Sequence, residues 1–139
     1  MTMEFSDTMR DQITSDLVTA WNAELGGSAS IFLFDGFKPA LCSDPDDGTI
    51  LAIVGMNGTP FATPSANVFN ANSMSAGTGL AAGNMSYFRM KDGSTNVVAQ
   101  GTVSSSAGAN IVFNTVVVAV SDNVEIDSFT ATVLLVGGP

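Results

Sequence analysis

Phe5, Met9, Ile13, Leu17, Trp21 and Leu25 recur every four residues through an otherwise polar opening segment. Side chains at that spacing share one face of an α-helix, which predicts an amphipathic helix within residues 5–26, regular over 7–25. Ser6 is placed to cap the first turn, Asp7 and Asp11 suit the positive end of the helix dipole, and Gly26-Gly27 ends the helix. A strict i+4 row drifts around the axis, so Val18 and Ala20 must widen the stripe. The stripe has two uses: it packs on the protein's own sheet, or Phe5, Met9, Ile13, Leu17 and Trp21 form an arm that docks on a neighbouring subunit.

From residue 28 onward the period changes to two. Ile31 and Leu33 alternate with Phe32 and Phe34, apolar on both faces, which predicts a strand over 28–34 buried on both sides. Residues 49–54, 109–113, 116–120 and 128–136 read as further strands, with 124–126 leading into the last. The centre of the pattern is 84–103, two alternating runs joined at Asp92-Gly93, a hairpin in which Gly93 would supply the positive φ of the turn. Its first arm would point Met85, Tyr87 and Arg89 to one face and Ser86, Phe88 and Met90 to the other. Residues 60–83 are too broken by Gly and Pro for a predicted element, and Phe61, Val68, Phe69 and Met74 would pin them down. The fold class expected is mainly β: a single domain over 1–139, with an antiparallel β-sandwich over 28–136 behind the helix and a jelly-roll as one admissible strand order.

Composition adds exclusions. The chain has 139 residues, 45% of them hydrophobic, enough to bury a core. Its net charge of −9 sets 13 acidic residues against four basic ones, Arg10, Lys38, Arg89 and Lys91, scattered along the chain. Neutralising a phosphate backbone takes clustered Lys and Arg, so no direct nucleic-acid contact is expected, and no binding to anionic membranes. No apolar run approaches the roughly 18 residues that span a bilayer. The opening residues lack the basic region and apolar core of a secretory signal, which points to synthesis in a cytoplasm. Cys42 is the only cysteine, so no intramolecular disulfide can form, and it reads as a small semi-buried hydrophobe.

Candidate chemistry is sparse. With no histidine, Ser-His-Asp and Cys-His nucleophile arrangements lack their base, and imidazole zinc sites are impossible. There is no P-loop. Paired carboxylates could serve glycoside hydrolysis, but the acids fall mostly in the helix and turns, away from sugar-stacking aromatics. The densest acidic run, Ser43-Asp44-Pro45-Asp46-Asp47-Gly48, echoes a calcium loop, yet its Gly is misplaced and no Glu closes it. A solvated turn is the expectation there. No catalytic, cofactor-binding or metal-ligating residues are expected, and no enzyme activity.

Several stretches, taken in order, resemble small virion structural proteins of tailed bacteriophages. They are the opening Phe5-Ser-Asp with Arg10; Ile31-Phe-Leu-Phe-Asp-Gly with Lys38-Pro39-Ala40 behind it; Ile50-Leu-Ala-Ile; Pro60-Phe61-Ala62; Gly83-Asn-Met-Ser-Tyr-Phe-Arg-Met; Asp92-Gly93; Gly101-Thr-Val; and the segment from Ala109 through Asn114-Thr115. The resemblance implies a non-enzymatic capsid decoration or cement protein on the outer surface of the major capsid protein lattice, arranged as a homo-oligomer or symmetric array and located in the virion. A tail component, whether tube, completion or fibre protein, is the alternative, and a carbohydrate-binding module a second.

Overall fold

Helix α1 spans Asp7–Leu25 in the structure, a computed structural model that describes residues 3–65, 68–126 and 129–132. Ser6 caps it as expected, its hydroxyl accepting the Met9 N–H at 3.2 Å. Gly26 ends it in the left-handed region at φ +68°, and its N–H donates to the Asn22 carbonyl. A single 3-10 turn, Gly26–Ser28, then leads to the sheet. The buried stripe differs from the i+4 row. Thr14, Val18 and Leu25 are the buried positions, with Trp21 and Asn22 half-buried beside them and Ala20 exposed. Steps of four and seven residues nearly complete whole turns, so these positions line up along the axis where a pure i+4 row spirals off it. The buried Thr14 hydroxyl is satisfied by donating to the Arg10 carbonyl at 2.9 Å.

Eleven strands follow among the described residues: β1 Ser30–Phe34, β2 Ile50–Gly55, β3 Val68–Asn70, β4 Gly77–Thr78, β5 Gly83–Asn84, β6 Tyr87–Lys91, β7 Val97–Ser104, β8 Ile111–Val112, β9 Val117–Val118, β10 Asn123–Val124 and β11 Thr130–Thr132. Five form one curled sheet in the order β2-β1-β6-β7-β8. The others pair as three two-stranded ladders, β10-β4, β11-β3 and β5-β9. The architecture is one N-terminal helix with a curled five-stranded sheet, and among the described residues the remaining strands form separate ladders and no second continuous sheet. One pairing departs from the antiparallel expectation: β8 lies parallel to β7, Val103 beside Ile111. A parallel return normally needs a long crossover. Here the ladder is only two residues long, and the Asn110 side chain accepts the Thr102 N–H at 3.1 Å where a further strand residue would have done so.

The central hairpin is present, β6 against β7, but its details correct the sequence reading. Positive φ falls on Thr95, at +67°, and not on Gly93. Residues 92–95 make a turn in which Thr95 N–H donates to the Asp92 carbonyl, and the Asp92 carboxylate accepts the N–H groups of Ser94 and Asn96, both at 2.9 Å. The left-handed residue is therefore the one that closes the turn. Met85 does not share a face with Tyr87 and Arg89, because the strand is interrupted at 85–86 and Met85 turns into the core with Phe88 and Met90.

Register sorts the sheet into two faces. On one, Ile31 lies between Val54 and Met90, and Leu33 between Ala52 and Phe88. This face meets α1 and an aromatic chain in which Trp21, Phe61 and Phe69 pack mutually at 5.3–5.4 Å between ring centroids. Phe129 extends the chain from Phe61 to Phe88. Asn22 ties the helix to the same place: its side-chain amide donates to the Phe61 carbonyl and accepts the Phe61 N–H, at 3.0 and 2.9 Å. Phe61 and Phe69 thus anchor the long segment as expected, while Val68 and Met74 are half-buried. The part of the final predicted strand beyond residue 132 lies outside the described residues.

Candidate functional site

The second face of the sheet carries Tyr87, Arg89 and Lys91 from β6, with Phe32 and Phe34 of β1 on one side and Gln100 of β7 on the other. Over it folds the loop of residues 35–49 between β1 and β2. Two Asp-Gly pairs form the loop's neck, each carboxylate reaching across to the other strand. Asp47 accepts the Phe37 N–H at 2.8 Å, and Asp35 accepts the Thr49 N–H at 2.6 Å. Gly36 and Gly48 sit at φ +86° and +81°, and a Cβ at Gly48 would come within 2.4 Å of the Asp35 carbonyl oxygen. The crossing therefore requires glycine at that point.

Arg89 holds the loop from below. Only 1% exposed, it donates to the Asp44 carbonyl and the Asp46 carboxylate, both at 2.8 Å, to the Leu41 carbonyl at 3.2 Å and to Gln100 at 3.1 Å. Gln100 donates in turn to the Pro39 carbonyl at 2.7 Å. Lys91 donates to the second Asp46 oxygen at 2.7 Å, with its ammonium 4.7 Å from the Phe32 ring centroid. Tyr87, stacked on Phe34, donates its hydroxyl proton to the Asp47 carbonyl, and the Ser86 hydroxyl donates to the Gly36 carbonyl at 2.6 Å. Buried cations need such partners, because an unpaired charge out of water costs several kcal/mol. Asp46 keeps 32% of its side chain exposed. Burial pushes its carboxyl up, but hydrogen bonds from Lys91 and Arg89, with their charges, outweigh that and hold it below its ordinary value. Burial raises the Tyr87 phenol above its ordinary value.

The turn over 43–48 is solvated as expected, with only Asp44 half-buried, and it is also fastened by its acids. Asp44, Asp46 and Asp47 each face a different partner, and Asp44 accepts the Leu41 N–H at 2.9 Å. Two large apolar side chains of the loop stand in water, Phe37 at 87% and Leu41 at 61% exposure, and Cys42 beside Leu41 is exposed, not semi-buried as expected. Among the described residues no group of three or more ligating side chains is placed to hold a metal ion, and no helix is long and apolar enough to cross a membrane.

The candidate arm residues are divided. Trp21 lies in the aromatic chain, Phe5, Ile13 and Leu17 are half-buried, and Met9 is 51% exposed. They do not converge with the loop. Elsewhere a cleft of about 370 Å³ opens over Met85, Val118 and Val124, with Val112 and Val117 exposed at its mouth. The buried pair Arg89 and Lys91 escaped the sequence reading as a unit. A signal existed, since two cations alternating with Phe88 and Met90 in a strand apolar on both faces must meet an acid, and the chain has one dense acidic run.

Comparison with protein-family models, with curated proteins and with solved structures gives no match for this chain.

Proposed function

We propose that this chain is a non-enzymatic structural protein of a tailed-phage virion, a decoration or cement protein that binds the outer surface of the capsid lattice and reinforces it. One observation carries the reading: three of the stretches behind the resemblance meet in space and build one device. Ile31-Phe-Leu-Phe-Asp-Gly and Lys38-Pro39-Ala40 supply the strand and loop, and the Tyr87-Phe-Arg-Met run supplies the buried hydroxyl and guanidinium that hold that loop down. Much of this polar apparatus is spent on fixing backbone, which suits a protein whose task is to present a shape. A finer architecture belongs to the same reading: the ladders and α1 act as the second layer of a sandwich over the core face of the sheet. Each copy on a symmetric shell needs only modest affinity, because the contacts sum over the lattice.

The test is the copy number in purified particles, by quantitative mass spectrometry against the most abundant shell protein. A ratio near unity is the expected result. A few copies per hundred shell subunits would move the protein to the tail or a vertex, and absence from particles would overturn both virion assignments.

A further inference from the structure

We infer that the outer side of the 35–49 loop is the docking surface, with Phe37 and Leu41 entering an apolar pocket on the shell subunit whose rim carries Lys or Arg. The inference rests on the decoration reading above and adds to it the surface and the chemistry of the partner.

Three observations converge on the loop. First, it is preorganised. Hydrogen bonds from Arg89, Gln100, Tyr87 and Ser86 fix its backbone at Gly36, Pro39, Leu41, Asp44 and Asp47, and Asp35 and Asp47 lock its neck. A loop already in one conformation loses little entropy on binding. Second, that fixed backbone holds two large apolar side chains in water, Phe37 at 87% exposure being the most exposed large hydrophobic among the described residues. Side chains of this kind become anchors when a pocket receives them. Third, the charges specify the pocket's rim. Arg89 and Lys91 are buried beneath the loop against Asp46, and Arg10 is paired with Asp7 within the helix. The Asp47 and Asp44 carboxylates accept the N–H groups of Phe37 and Leu41, so an acid flanks each apolar residue, with Lys38 as the loop's own exposed cation. The chain as a whole carries −9, so a second copy is repelled, whereas a basic rim complements it.

The experiment uses shells stripped of the protein and rebound with the full chain. The variants are Phe37→Ser with Leu41→Ser, and Val117→Ser at the mouth of the distant cleft as a control. Both change exposed side chains, and unchanged thermal melting confirms that each is folded. The expected result is wild-type affinity for V117S, affinity lower by at least about tenfold for the double variant, and wild-type binding that weakens as salt is raised. Double-variant binding within about twofold of wild type overturns the inference and leaves the decoration reading standing. Salt-independent binding overturns the basic rim. Self-association of the wild type, abolished in the double variant, assigns the surface to a second copy and overturns the shell pocket. If wild type fails to bind shells, the decoration reading falls, and octylamine-agarose, an apolar chain ending in an amine, decides the surface. Equal retention of wild type and double variant on it overturns the inference, and stronger retention of wild type upholds an apolar, basic target for the loop.

Discussion

Thr95 is a β-branched residue in the left-handed region, at φ +67°, where its Cβ crowds the backbone at a cost of roughly 1–2 kcal/mol. Thr95→Gly should therefore stabilise the protein by about 1 kcal/mol, after the extra freedom of glycine in the unfolded chain is deducted. Urea denaturation at constant slope checks it, and a lower midpoint would refute the turn geometry. Asp46 is the opposite case. Asp46→Asn leaves Arg89 and Lys91 buried with one carboxylate fewer, and removing a partner from a buried pair costs about 3–5 kcal/mol. The partial exposure of Asp46 discounts this to about 2 kcal/mol. Its folded pKa is held below the unfolded one, so the stabilisation is complete well above about pH 4 and is lost as pH falls through the folded value. Wild type and D46N should differ at pH 7 and converge as pH falls below the folded value, and a gap independent of pH would show that the charge is not the source. Neither effect was legible beforehand. The Asp92-Gly93 pair pointed to the right turn and the wrong residue, because which turn position goes left-handed depends on loop length. The partner of Arg89 lies more than forty residues away in the chain, where periodicity has no reach.

At the level of elements, α1 is held at its C-terminal half and loosely covered at its N-terminal half. Asn22→Ala removes two hydrogen bonds to the Phe61 peptide and should cost about 2 kcal/mol, since the peptide groups lose their partner where water reaches them poorly. Met9→Ser should change stability by no more than about 0.5 kcal/mol. Thermal melts of the two variants give the contrast, and equal losses would mean that the helix is held along its whole length. The cap, the ends and the amphipathic character of this helix were readable because each is a local signal. Its buried line was not, because Thr14 and Asn22 are polar and only tertiary partners make them interior residues. The same limit explains residues 60–83, where strands of two or three residues are too short to display a period of two.

For the whole molecule, the aromatic chain from Trp21 through Phe61 and Phe129 to Phe88 joins helix, long segment and sheet into one core. Unfolding followed by Trp21 fluorescence and by far-UV circular dichroism should give coincident transitions, and separated midpoints would mean that the helix detaches before the sheet opens. The β-rich content and the central hairpin were legible from alternation, but the strand order was not, since β1 and β6 are neighbours through a pairing that spans more than fifty residues. That pairing also sets an order of events in time. The β6-β7 hairpin closes through a tight turn and can form within microseconds, whereas β1 must find β6 by closing a long loop, the slower step. The guanidinium that fastens residues 35–49 rides on β6, while those residues belong to the β1-β2 ribbon. A newly made chain therefore lacks its finished loop until that long-range pairing is complete, so the exposed surface carrying Phe37 and Leu41 takes its final shape only when β1 has found β6.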